Sequence, residues 1–250
     1  MRVGSKGQIL AALDTVDIDR AVDWAHRLDR TVAGVKLGLE FFLANGPLGY
    51  RRIAAVGMPI FLDLKLHDIP NTVAGAVRAI MPLAPSIVTV HAAGGQTMMQ
   101  AARETADEEA GKRDGKRPKI IGVTVLTSLD DKDLGAIGQS GSTSDQVKRL
   151  AALAKTAGLD GVVCSPHEIE ALRSELGPDF LLVVPGVRPA GSDTGDQKRV
   201  RTPGEAAKAG ADYLIIGRPI TAAADPREAA CRIGTEIDGA IGHVPAQARR

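Results

Sequence analysis

The feature that most constrains this chain is a rhythm. Eight short, β-rich apolar runs recur along it, at residues 9–13, 32–37, 60–64, 87–90, 119–126, 161–165, 180–185 and 213–217. Several are near-continuous rather than alternating, as expected of parallel strands buried on both faces. Amphipathic stretches lie between them at residues 19–28, 72–83, 97–109, 144–157, 167–176, 204–209 and 227–240, and these read as helices. Asp17 or Asp19 can cap the first. Strands alternating with helices build either a closed barrel or an open doubly wound sheet. Three observations favour the barrel. The strand count is eight, and 250 residues is a typical length for it. Polar or glycine-rich clusters also follow nearly every run: Asp14-Thr15, Lys36 to Gly38, Lys65 to Asp68, His91, Thr127-Ser128, Ser165-Pro166, Gly186 to Arg188, and Gly217-Arg218. Barrels build their sites at the C-terminal ends of the strands. No GxGxxG follows the first run, which removes the main argument for a dinucleotide fold. The expectation is an α/β chain forming one (β/α)8 TIM barrel over residues 1–250, with its active site at the C-terminal ends of the strands.

Composition narrows the ligand. The formal net charge is +1 and aromatic residues make up 3%. There is thus no basic field for nucleic acid and no supply of stacking platforms, so an anionic ligand must be held by a few local groups. The two cysteines, Cys164 and Cys231, form no CxxC, and no His/Cys cluster has metal-ligand spacing. Paired with the polar start of the chain and the lack of any apolar run near the roughly 18–20 residues needed to cross a bilayer, this predicts a soluble, cytoplasmic protein without membrane or metal partners. Residues 107–119 (DEEAGKRDGKRPK) are a dense mixed-charge run, expected to fray from the preceding helix into an exposed loop. Residues 127–143, rich in Gly, Ser and Asp, form a long connection. It reads as a lid or binding loop, or as an exposed loop with one helical turn.

Residues 61–72 (FLDLKLHDIPNT) set Asp63, Lys65 and Asp68 into an apolar, strand-like run. Alternation along a strand sends Asp63 and Lys65 to one face and Leu62, Leu64 and Leu66 to the other. A buried charge is costly unless paired, so this pattern is either a structural ion pair or a reactive site, and spacing alone leaves both open. Two further segments, residues 185–189 (PGVRP) and 215–219 (IIGRP), place glycine beside or near arginine after the seventh and eighth runs. Glycine lets backbone amides approach an anion, arginine offers a planar fork, and barrels bind phosphate with these two loops. Gln197 adds a possible amide donor. His67 reads as structural and Trp24 as core, while His91, at the end of the fourth run, reads equally as a packing residue or as a functional one at the barrel mouth.

Together these residues resemble the orotidine 5′-phosphate decarboxylase family. Residues 63–73 (DLKLHDIPNTV) look like its DxKxxDIPNTV signature. Similar blocks occur at Leu13-Asp14, residues 34–38, 123–128, 185–197 and 216–219, so the resemblance runs from near residue 9 to near residue 240. DxKxxD is shared with magnesium-using sugar-phosphate decarboxylases and synthases; the continuation Ile69 to Thr72 and the Gln197 loop point to the nucleotide enzyme. The resemblance implies decarboxylation of orotidine 5′-phosphate without metal or cofactor, through a charged network of Lys36, Asp63, Lys65 and Asp68 with Lys65 as proton donor. It further implies that Asp14 and Lys36 hold the ribose hydroxyls, Thr127 contacts the pyrimidine, and Gln197, Gly217, Arg218 and Arg188 bind the phosphate side. Finally, it implies a homodimer in which Asp68 and Thr72 reach the neighbouring subunit's site.

Overall fold

The computed structural model describes residues 7–113, 115–189 and 201–242. Eight parallel strands close into a barrel in chain order: β1 (Ile9–Ala12), β2 (Gly34–Leu37), β3 (Ile60–Leu66), β4 (Ile87–His91), β5 (Lys119–Val123), β6 (Gly161–Val163), β7 (Leu181–Val184) and β8 (Tyr213–Ile216). β8 pairs back onto β1, with Leu10 opposite Ile215. Every expected run therefore forms a strand. The closed ring decides between the two architectures that alternation allowed: the fold is a (β/α)8 barrel.

Ten helices cover the strands among the described residues: α1 (Ile18–Leu28), α2 (Leu39–Ala54), α3 (Pro70–Ile80), α4 (Gln96–Gly111), α5 (Asp131–Ala136), α6 (Thr143–Thr156), α7 (Ile169–Leu176), α8 (Pro203–Ala209), α9 (Arg218–Thr221) and α10 (Pro226–Ile241). Asp17 caps α1, its carboxylate accepting from the amides of Asp19 and Arg20, and Trp24 is buried as expected. None of these helices is long and apolar enough to cross a membrane.

Alternation along the strands divides the core into two layers. Ile9, Ala11, Leu62, Val88, Leu182 and Leu214 face the helices. Leu10, Ala12, Phe61, Ile87, Ile121, Val183 and Ile215 fill the barrel. The interior is thus a solid apolar plug, with the strand-end side chains above it free to line a cavity. Strand spacing is close enough at Gly161 that a Cβ there would collide with the Leu181 carbonyl, which is why β6 opens on glycine.

Two expectations are corrected. Among its described residues, the 107–119 run does leave the helix for an exposed stretch at residues 112, 113, 115 and 116, but it is anchored on both sides of that stretch. α4 continues to Gly111, where Glu109 is buried and paired with Lys112 and Arg113. Arg117 then grips Asp160 with both Nη atoms at 2.6 Å and reaches Asp107 at 2.9 Å. The charges are a clasp between α4 and the lower ends of β5 and β6. The apolar run 119–126, in turn, is not all strand. β5 stops at Val123, after which Thr124 Oγ1 donates to the Val163 carbonyl. Val125 and Leu126 leave the ladder and line the cavity above.

Candidate active site

At the C-terminal ends of the strands lies a cavity of about 310 Å³. Asp14 after β1, Lys36 on β2, Asp63 and Lys65 on β3, Thr127 after β5, Arg188 after β7, and Gly217 and Arg218 after β8 all line it. The barrel brings together groups up to two hundred residues apart in sequence. Asp68 and Thr72 are not among the lining residues. They lie exposed at the start of α3, where the Asp68 carboxylate accepts the Ile69 amide at 2.7 Å. Gln197 lies outside the described residues.

The charged groups form a chain. Lys36 Nζ donates to Asp14 Oδ1 at 3.0 Å and stands 3.7 Å from Asp63 Oδ2. Lys65 Nζ donates to that same Asp63 oxygen at 2.7 Å. One carboxylate oxygen therefore lies between two ammonium groups. Burial pushes the Asp63 carboxyl up, but the charges of Lys36 and Lys65, with hydrogen bonds from Lys65 and Thr89, outweigh it and hold the group below its ordinary value. Asp63 thus stays ionised in a place where an isolated carboxylate would protonate. The side chains of Lys36 and Asp63 are each 10% exposed, whereas that of Lys65 is 30% exposed. Lys65 is the cation that both meets the buried carboxylate and remains open to the cavity.

Thr89, Gly38 and four apolar residues are given no role in the sequence reading. Thr89, fully buried on β4, donates to Asp63 Oδ1 at 2.8 Å. A threonine inside a β-branched run carries no signal of such a role. Gly38 leaves room for the first ion pair, since a Cβ there would lie 3.0 Å from Lys36 Nζ and 3.3 Å from Asp14 Oδ1. Its position beside Lys36 in the strand-end cluster was the available clue. Phe61, Val123, Val125 and Ile215 supply the apolar part of the cavity wall. His91, for which the sequence leaves packing and function both open, packs against His67 with ring centroids 5.3 Å apart. Burial, His67 and Lys65 lower its pKa, with Asp63 opposing.

The profile of the "Orotidine 5′-phosphate decarboxylase / HUMPS family" matches residues 7–233. The chain belongs to this family. Among relatives named orotidine 5′-phosphate decarboxylase, that of Rhodospirillum rubrum is 58% identical over 236 residues, covering 94% of this chain and 96% of the relative. That of Moorella thermoacetica is 52% identical over 239 residues, covering 95% of each. The crystal structure of orotidine 5′-phosphate decarboxylase from Lactobacillus acidophilus superposes with a TM-score of 0.81 at 36% identity, covering 92% of this chain and 99% of that one. Within the family fold, the lysine–aspartate chain occupies the rim of β1 to β3, and the glycine–arginine pairs occupy the rim of β7 and β8. A ligand spanning the cavity would meet ammonium and carboxylate groups at one end and guanidinium groups at the other. Among the described residues, no three His, Cys, Asp or Glu side chains converge in a metal-binding arrangement.

Proposed function

We propose that this chain decarboxylates orotidine 5′-phosphate to uridine 5′-phosphate and carbon dioxide, the last step of de novo uridine 5′-phosphate synthesis. In this reading it works in the cytoplasm as a homodimer, without metal or organic cofactor. The observation that carries the reading is Asp63 Oδ2 held between Lys65 Nζ at 2.7 Å and Lys36 Nζ at 3.7 Å on the wall of the cavity. Membership of the family supports the same substrate.

The chemistry asks for such an arrangement. Heterolysis of the bond between C6 and the carboxylate leaves the electron pair on C6, in an orbital that the ring cannot readily delocalise. A fixed ammonium stabilises that charge as it develops and then donates its proton to C6. Lysine must be cationic at the start, and an adjacent ionised carboxylate favours that form. Lys65 takes this role. Asp63 holds it, and Asp68 from the neighbouring subunit flanks it. Asp14 and Lys36 hold the ribose hydroxyls, Thr72 of the neighbour completes the site, and Thr127 faces the pyrimidine. Arg188, Gln197, Gly217 and Arg218 bind the phosphate. Binding energy gathered at the phosphate is then available to orient the pyrimidine, and movement of residues 127–143 would exclude water.

The test is loss of orotidine 5′-phosphate absorbance on mixing with EDTA-treated protein. Fast turnover is expected, and it should fall by about 10⁴-fold or more in a folded Lys65→Ala variant, which lacks both charge stabilisation and the proton donor. No turnover by the folded wild-type dimer would redirect the assignment to the magnesium-using sugar-phosphate branch. Undiminished turnover in Lys65→Ala would remove Lys65 from the mechanism.

A further inference from the structure

Lys65 has a backbone φ of 50°, a left-handed conformation that side chains with a Cβ rarely adopt. The cause lies in the pairing of β3 with β4. Leu62 faces Val88 and Leu66 faces Val90, with a shift in register between them. Residues 63 to 65 of β3 therefore stand opposite Thr89 alone. A backbone amide in such a bulge loses its regular carbonyl acceptor and must find another or go unsatisfied. The Lys65 amide donates at 2.9 Å to Thr89 Oγ1. A hydroxyl carries one proton as well as its lone pairs. The Thr89 proton goes to Asp63 Oδ1 at 2.8 Å. The polarity is fixed at both ends, because an N–H can only donate and a carboxylate can only accept.

We propose that Thr89 is the positioning residue of the reaction: its buried hydroxyl fixes the rotation of the Asp63 carboxylate and the left-handed backbone of Lys65 together. It thereby aims the Lys65 ammonium into the cavity. The inference rests on the decarboxylase reading above. Oδ1 takes the Thr89 proton, which turns Oδ2 toward the two ammonium groups, and Lys65 Nζ meets it at 2.7 Å. Without the hydroxyl, the carboxylate is free to rotate and the Lys65 amide loses its acceptor. The bulge can then relax toward regular strand geometry, swinging the ammonium away from where the carbanion forms. Misplacement of this kind acts on the chemical step and leaves the distant phosphate contacts intact.

The experiment compares wild type with Thr89→Val, which keeps the shape and loses the hydroxyl, and Thr89→Ser, which keeps the hydroxyl and loses a methyl group. Turnover of orotidine 5′-phosphate and affinity for the product uridine 5′-phosphate are measured for each. Thr89→Val is expected to lose about ten- to a hundred-fold in kcat, the size seen when a group supporting a reactive residue is removed, with product affinity changed less than about threefold. Thr89→Ser is expected to recover most of the turnover. Should Thr89→Val not be recovered folded, Thr89→Ala against Thr89→Ser carries the same comparison, because these two differ in the hydroxyl alone. Equal kcat with and without the hydroxyl, or equal losses in Thr89→Ser and Thr89→Val, would overturn the proposal. Absence of turnover in wild type would instead overturn the decarboxylase reading on which it rests.

Discussion

At the scale of single residues, the site is an exercise in keeping charges alive out of water. Asp63 stays ionised because two lysines and a hydroxyl compensate its burial. Asp160, at the other end of the barrel, is also held below its ordinary value. Burial pushes it up, and the Arg117 hydrogen bond, the Ile120 amide, and the charges of Arg117 and Lys119 pull it further down. A carboxyl whose folded pKa is depressed contributes stability that is present above its unfolded pKa, near 4, and lost as pH falls through the folded value. The melting temperature should therefore hold from pH 7 to about pH 5 and decline below about pH 4, and an Asp160→Asn variant should decline less steeply. An identical acid slope in the two proteins would remove Asp160 from the explanation. Residue types were readable here and geometry was not. Asp63 and Lys65 stood out as charges in an apolar run, but strict alternation gave no hint of the bulge that actually sets Lys65, nor of Thr89 beneath it.

At the scale of elements, the strands were legible because each is a short apolar run buried on both sides, and that pattern survives any context. Helix α2 was not legible. Gly46 breaks its backbone at φ 57° and ψ −157°, and Pro47 follows, so the local sequence carries the signals of a turn even though the segments on either side are helical. The short α9 hides in a glycine–arginine–proline stretch that reads as a strand end. The end of β5 was overextended because apolar residues that line a cavity look like residues that fill a ladder. The anchoring of the 107–119 run was missed because a charge run usually is a solvated face, and only the fold reveals that Arg117 meets a carboxylate that is 11% exposed. Removing Arg117 leaves Asp160 with Lys119 at 3.7 Å and the Ile120 amide. The Arg117→Ala variant is expected to lose about 2–3 kcal/mol of stability by denaturant unfolding, with kcat unchanged because the clasp is at the far end of the strands from the cavity. A variant as stable as wild type would make the clasp a surface ornament.

At the scale of the whole molecule, ion pairs gather at both ends of the barrel, and those at the upper end line the cavity. Arg117–Asp160 and Arg173–Asp212 tie the lower ends of β5 to β8, while the Lys36–Asp63–Lys65 chain sits at the upper rim. Exposed apolar side chains lie on the segments that follow β1 to β3: Val16, Leu43, Leu48 and Ile69, at 59%, 78%, 72% and 68% exposure. Ile69, whose amide bonds the Asp68 carboxylate, suits the proposed dimer, in which Asp68 and Thr72 serve the neighbouring site. If so, folded Lys65→Ala and Asp68→Ala proteins, each nearly inactive alone, should regain about a quarter of wild-type activity when mixed and allowed to exchange subunits, because half the dimers then hold one complete site. Activity that stays at the level of the separate variants, with exchange shown independently, would place Asp68 within its own subunit's site or outside the chemistry.

The left-handed backbone at Lys65 has a consequence for how this protein can improve. Relief from that conformation is worth about 1–2 kcal/mol to a residue without a Cβ, whereas glycine's greater freedom in the unfolded chain costs about 0.4–1 kcal/mol. Lys65→Gly should therefore melt at a higher temperature than Lys65→Ala, though both are inert. The wild-type lysine offsets that strain through its 2.7 Å bond to Asp63, so position 65 keeps its conformation by an ion pair that neither variant can form.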